Sequence, residues 1–470
     1  MKLSHTLRAT SAVFDDPNLV SSGGLVPVLA LAESAGLGSL ADEHLSVPTD
    51  KGANAGLKVS SLVCGMVAGA DSIDDMALLR HGGMGRIFAH AYAPSTLGSF
   101  LRAFTFGHVR QLDAVATRFL LGLAEHTPLV AGLNDPDGYV MVDIDDTIVE
   151  VHGSTKQGSG YGYSGVRGLN ALLATVTTKD SAPVILAQRL RKGSCGSPRG
   201  AKRLVADALT TLTTLATNQA GAKPLLRADS AFYGHEVVNT ARRKGAEVSI
   251  TVRLDKKVKA AIAQIPAEAW ETIQYIDAIY DEDTGRWISK AEVAEIEFTA
   301  FTSKKKADQV TGRLVVRRIP DLGPRAADGQ ATLFDTWRFH AFFTTTDPEV
   351  MDTVAADKTH RGHAIIEQVH ADLKNSALAH LPSASFSANS AWTVLAVMAF
   401  NLTRAAATLT GEELVKATTA TVRRKLINVP ARTASSARKI TLHLPTAWPW
   451  ESAWSRLFTR VCGPPTVVAT

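Results

Sequence analysis

The chain has 470 residues, of which 45 % are hydrophobic and 20 % charged, with a formal net charge of +5 and a sequence pI near 9.0. That composition excludes an intrinsically disordered chain and leaves room for a large core in two to four domains. Three cysteines (Cys64, Cys195, Cys462) are too few and too scattered for a disulfide framework or a zinc knuckle, and a reducing cytoplasm is the expected location. The most apolar stretch, Ala391 to Leu402, is well short of the ~20 residues a membrane span needs, and the N-terminus has no apolar signal-peptide segment. Charge is uneven: Leu414 to Thr470 holds nine basic residues against one acid, Glu451. Such a tail suits contact with phosphate as well as it suits a solubilising surface.

Residues 1 to about 135 are expected to be helical. Leu25 to Leu40 and Val59 to Ala77 carry apolar residues at helical spacing, and Pro94-Ser95-Thr96 opens a helix through Leu97, Phe100, Leu101 and Phe104. This region is expected to bind DNA or to dimerise.

From residue 136 the period changes from helical to alternating. Tyr139 to Asp145, Leu169 to Thr178 and Ala182 to Leu190 are three strands. A helix over Gly200 to Ala216, a strand over Pro224 to Asp229, a helix over His235 to Lys244 and a strand over Glu247 to Leu254 follow. The order β-β-β-α-β-α-β, an antiparallel unit followed by helical crossovers, predicts an α/β ribonuclease-H-like core. Residues 256–345 are expected to form a β-rich insertion with strands at Val293 to Phe301, Val310 to Arg318 and Thr336 to Thr344, and a loop around Pro320 to Gly329. The core resumes over 346–410 and a basic region occupies 411–470.

Chemistry concentrates in three places. On the first strand Asp143 and Asp145 share a face, and Asp145 is expected at the strand end. The strand ending in Asp229 is expected beside it, so two carboxylates come within reach of one hard divalent cation, Mg²⁺ or Mn²⁺. Asp143 is the alternative first ligand. The third place is His360 to Lys374, expected to be one amphipathic helix. At about 100° per residue, His360, His363, Glu367 and Lys374 fall within roughly 60° of each other. Glu367 would be the third ligand of a site with two ions, and Lys374 would hold backbone phosphate. A further basic run, Arg189 to Arg203, includes Arg191, Lys192 and Arg199 and could follow a DNA backbone. The Gly-rich stretch Ser159 to Gly168 does not have the Walker spacing.

Asp145-Asp146-Thr147, Leu226 to Phe232 and the Glu367 helix resemble the three catalytic blocks of DDE transposases of bacterial insertion sequences, 84 and 138 residues apart. The likeness is to the cut-and-paste group with a β-rich insertion and a Tyr, Arg, Glu, Lys signature. Here His360 and His363 occupy the Tyr and Arg positions, Glu367 and Lys374 match, and Arg361 stands close enough to supply a guanidinium. The resemblance implies a dimer that binds terminal inverted repeats in double-stranded DNA, hydrolyses the element ends and joins 3′-hydroxyls to target DNA. It also implies that the insertion stabilises a hairpin or flipped base, for which Trp287 and Trp337 are the candidates. Two other classes remain open: a zinc hydrolase using His360, His363 and Glu367, and a domesticated DNA-binding relic without cleavage.

Overall fold

A computed structural model describes the chain except residues 2, 3, 6, 136, 137, 154, 163, 217–221, 275–278, 283–285, 289, 290, 321–336, 437, 438 and 465–470. The first part contains helices α1 (Leu25–Ser34), α2 (Leu37–His44), α3 (Ala55–Ala68), α4 (Pro94–Arg102) and α5 (Phe106–His126). Two expected helices are shorter than their apolar patterns. The run from Leu25 to Leu40 breaks at Gly36, whose φ of 82° lies in the left-handed region, and the run from Val59 ends at Gly69, with φ 118°. Both glycines end a helix where a residue with a Cβ would be strained.

The middle of the chain holds β1 (Tyr139–Glu150), β2 (Arg167–Thr177), β3 (Val184–Lys192), α6 (Ala201–Leu215), β4 (Lys223–Ala228), α7 (His235–Arg243) and β5 (Glu247–Thr251). These strands lie in the order β3-β2-β1-β4-β5. β1 runs antiparallel to β2 and parallel to β4, and β4 runs parallel to β5. This is the arrangement that the element order predicts. β1 is longer than expected: it continues past Asp145 to Glu150 because its far half still pairs with β2, down to Glu150 opposite Gly168.

The next strands, β6 (Glu292–Ala300), β7 (Val310–Pro320) and β8 (Trp337–Thr344), fall in the segment read as an insertion. They extend the same ten-stranded sheet, with β8 antiparallel to β5, Phe342 opposite Thr251. The expected loop to Gly329 lies, beyond Pro320, outside the described residues.

The chain then forms α8 (Thr353–Arg361), a 3₁₀ turn at Gly362–Ala364, α9 (Ile365–Lys374), α10 (Phe386–Thr408), a hairpin of β9 (Ala431–Ser436) and β10 (Lys439–His443), and α11 (Glu451–Cys462). His360 to Lys374 is therefore not one helix. The turn separates His360 from Glu367, so the two do not share a face.

α10 is buried along almost its whole length and packs against α3, α5 and β3. One continuous apolar cluster therefore joins the first helices to the sheet. β3 is flanked by another main strand only on its β2 side, and α10 satisfies the other side with an amide. Asn401, 3 % exposed, accepts from the Ile185 N–H at 3.0 Å and donates to the Ile185 carbonyl at 2.9 Å. No single described helix is long and apolar enough to cross a membrane, and the bent pair α1–α2, which reaches that length only when joined, packs on α3 and α5.

Asn401→Ala leaves two buried backbone groups unpaired and is expected to cost about 2–4 kcal/mol. Urea denaturation measures this, and an unchanged midpoint would contradict the role given to the amide.

Candidate active site

The parallel pairing of β1 and β4 sets Asp143 opposite Arg227 and Ile144 opposite Ala228. One step further on each strand stand Asp145 and Asp229. Asp229 leaves the strand and caps the 3₁₀ turn Ser230–Phe232, its carboxylate accepting from the Ala231 N–H at 3.0 Å. The two side chains are thus placed by backbone register. That register is the only strand-end feature the pair shares, since β1 runs on and β4 stops.

Asp143 and Asp145 lie on one face of β1 but meet different neighbours. Asp143 is fully buried and held by the Arg227 fork, Nε to Oδ1 and Nη2 to Oδ2, both at 2.7 Å. His363 Nδ1 donates to the same Oδ1 at 2.9 Å, and Arg227 also donates to the Thr359 carbonyl at 2.5 Å. With its oxygens so engaged, Asp143 is a structural acceptor. A Cβ on Gly362 would lie 2.7 Å from Arg227 Nη1, so a larger residue in the turn between α8 and α9 would have to displace the guanidinium that holds Asp143.

Asp145 has no such partner. Its Oδ1 accepts from the Asp146 N–H at 2.7 Å, and its Oδ2 lies 3.6 Å from His370 Nε2. Burial pushes its carboxyl up to about 6, and the negative charges of Asp229 and Asp146 add to this against the opposing pull of the Asp146 amide and His363. Asp229, although exposed at its rim, is also raised, first by loss of hydration and further by Asp146. Two carboxylates that resist ionisation side by side are relieved by a cation, and oxygen donors at neighbouring register positions fit a hard divalent ion with water completing its shell. Asp145 and Asp229 would hold it.

Asp146 points to the other face. Asn170 Nδ2 and Arg191 Nη2 both donate to its Oδ2. Arg191 also binds Asn170 Oδ1 and the carbonyls of Ser197 (2.8 Å) and Arg199 (2.7 Å). Arg191, expected on a DNA-facing loop, is instead 8 % exposed and ties that loop to the strand of Asp145. Lys192 and Arg199 are exposed beside it.

The residues around α8 and α9 divide. His360, expected on the polar face, is half-buried against the sheet: its ring stacks on Phe342 (centroids 4.1 Å apart) and its nitrogens meet the hydroxyls of Ser249 and Thr251, both at 2.9 Å. Burial pushes its pKa down to about 3, so it is neutral. Arg361 Nε pairs with the buried Asp357 at 2.8 Å. Glu367 and Lys374 are exposed, and Lys374 lines a groove of about 380 Å³ with Asp146 and Asn170. Among the described residues no three His, Cys, Asp or Glu side chains are gathered as a metal-binding set. His360 and His363, the imidazoles of the zinc alternative, serve different partners: the hydroxyls of Ser249 and Thr251 for one and Asp143 for the other. Asp145, Asp229 and Glu367 do not form a closed triad in this conformation either, although α9 packs on β1.

Compared with models of protein families, the chain matches the transposase DDE domain group 1 over residues 5–463. The chain belongs to this family. No curated protein matches it. Membership makes it a transposase by family and, in general terms, a DNA-cleaving enzyme, and the DDE domain spans nearly all of its length.

Sequence reasoning passed over the contacts that Arg227, Asn170 and His370 make around Asp143, Asp146 and Asp145. Arg227 was visible as a charge set among the apolar residues Leu225, Leu226 and Ala228. His370 recurs at helical spacing with His363, Glu367 and Lys374. Asn170 gave no pattern in the sequence. Trp337, a candidate for base stacking, has the Arg318 guanidinium 4.3 Å from its ring centre, and that guanidinium also lies over Trp270. The side chain of Trp287 lies outside the described residues.

The raised carboxyl of Asp145 has a sign that can be tested. Its folded pKa (about 6) exceeds the ordinary value of 3.8, so ionised Asp145 opposes folding above pH 6, and this cost fades as pH falls toward 3.8. In chelator-treated protein, Asp145→Asn is expected to stabilise the fold by about 2–3 kcal/mol at pH 7 and by much less at pH ~4. Denaturant titration at both values reads this, and a variant no more stable than the parent at pH 7 would contradict the assignment.

Proposed function

We propose that this chain is a cut-and-paste transposase that nicks DNA at the terminal inverted repeats of its own element and joins the freed 3′-hydroxyls to target DNA. The observation that carries the proposal is the placement of Asp145 and Asp229 one step beyond Ile144 and Ala228, the last paired positions of two adjacent parallel strands, with the helix that bears Glu367 packed on the strand of Asp145. The strand order β3-β2-β1-β4-β5 supports a ribonuclease-H-like catalytic core. Asp145, Asp229 and Glu367 form the catalytic set once Glu367 joins the other two.

Asp145, Asp229 and Glu367 would hold Mg²⁺ or Mn²⁺, two ions in the full site, which would supply Lewis acidity for activating a water or 3′-hydroxyl and for stabilising the departing oxygen. The chain's own residues do the rest. Asp145 and Asp229 bring fixed negative charge to one point, and β1 and β4 hold that point rigid. Asp143, Arg227 and His363 keep the Glu367 helix over the strand. Lys374, beside the Asp146 groove, receives a phosphate of the bound strand. Lys192 and Arg199 extend the contact along the Gly/Ser loop, which Arg191 anchors from inside. Synapsis of two element ends calls for two copies of the chain, so the working form is a dimer on double-stranded DNA.

On a duplex carrying the inverted repeat that flanks the coding region, Mg²⁺-dependent 3′-end nicking is expected. Asp145→Asn, Asp229→Asn and Glu367→Gln should each lower the single-turnover rate by about 10³-fold or more while leaving binding intact. Nicking at the parental rate by Glu367→Gln would refute the triad. Lys374→Ala should weaken binding to all sequences alike and flatten the dependence of log K on log salt by about 1. A change confined to one sequence would instead mark Lys374 as a base contact.

A further inference from the structure

His370 lies one turn beyond Glu367, on the part of α9 that packs against β1. It is 6 % exposed, and neither ring nitrogen has a hydrogen-bond partner. A buried imidazole N–H without an acceptor is costly and rare. The nearest carboxylate oxygen is Asp145 Oδ2, 3.6 Å from Nε2. That exceeds a hydrogen bond by about 0.7 Å. The other oxygen of Asp145 is already satisfied by the Asp146 amide at 2.7 Å. Thus a donor without an acceptor faces an acceptor without a donor, across a gap that a small helix shift closes.

We infer that His370 is a positioning residue for the carboxylate site. When a divalent ion occupies Asp145 and Asp229, α9 moves onto β1, His370 Nε2–H donates to Asp145 Oδ2, and the rigid helix carries Glu367 toward the ion in the same movement. The bond requires the proton on Nε2, and no proton is transferred. This accounts for two facts together: the unpaired ring, and a Glu367 that stands apart from Asp145 and Asp229. The inference rests on the metal site proposed above and deepens it.

Two side chains separate positioning from packing. The Gln amide nitrogen reaches about as far as Nε2, whereas the Asn amide nitrogen matches Nδ1 and stops short. Mn²⁺ alone is titrated into the full-length chain, with free Mn²⁺ followed by electron paramagnetic resonance and fold integrity by urea denaturation. His370→Gln is expected to bind within about threefold of the parent, and His370→Asn and His370→Leu about 10–100-fold more weakly, as for other residues that orient a metal ligand. His370→Leu should unfold at a urea concentration no lower than the parent, because it removes an unsatisfied polar group. Parental Mn²⁺ affinity in His370→Leu would overturn the inference. So would a loss in His370→Gln equal to that in His370→Leu, since the shape of the ring would then matter and its donor would not. Asp145→Asn serves as the separate check. If it abolishes binding while the His370 variants do not, positioning by His370 falls and the metal site stands. If it binds as the parent does, the metal site falls and takes the inference with it.

Discussion

The buried ion pair of Asp143 and Arg227, with the half-buried His363 at its edge, is the interaction on which the site depends. Ionised groups this far from water are tolerated only when their hydrogen-bonding capacity is met. Here Asp143 accepts the two-pronged Arg227 fork and the His363 Nδ1–H, and Arg227 adds a bond to the Thr359 carbonyl. A slip of one residue between β1 and β4 would part Asp143 from Arg227 and leave both charges buried and alone. The cluster therefore penalises every register but the one that sets Asp145 beside Asp229. It also reaches the α8–α9 turn, so the start of the helix bearing Glu367 is anchored beside the strand that bears Asp145.

A division of labour follows among three carboxylates in four residues of β1. Asp143 is paired with Arg227 and hydrogen-bonded to His363, and Asp146 is paired with Arg191 and hydrogen-bonded to Asn170. Asp145 between them is given burial and negative neighbours but no strong cationic partner. Its pKa near 6 follows from that contrast. The fold thus spends two guanidinium groups on the flanking acids and leaves the middle one under electrostatic strain that an ion would release. Sites that work through charge commonly carry such strain.

Much of this was legible in the sequence. The order of strands and helices gave the sheet order because short connections and right-handed crossovers leave few alternatives. Asp145, Asp229 and Glu367 stood out as acids in or beside apolar elements. Three things were hidden. The end of β1 was misplaced because Asp145-Asp146 resembles a turn, whereas pairing with β2 carries the strand to Glu150. The helix at His360 appeared continuous because nothing in its apolar spacing marks the 3₁₀ turn at Gly362–Ala364. The roles of His360 and Arg191 were misassigned because a polar side chain found on one wheel face, or in one basic run, carries no sign of the buried acceptor it meets. Those acceptors come from strands 45 to 111 residues away in sequence.

The central claim is that Asp145, Asp229 and Glu367 converge on a divalent ion over DNA. Anomalous diffraction from crystals of the full chain bound to element-end duplex and Mn²⁺ tests it most directly. The account predicts an anomalous peak within about 2.5 Å of oxygens from both Asp145 and Asp229, with Glu367 in or next to the ion's shell. Mn²⁺ bound elsewhere, or bound with Glu367 still turned to solvent, would contradict it.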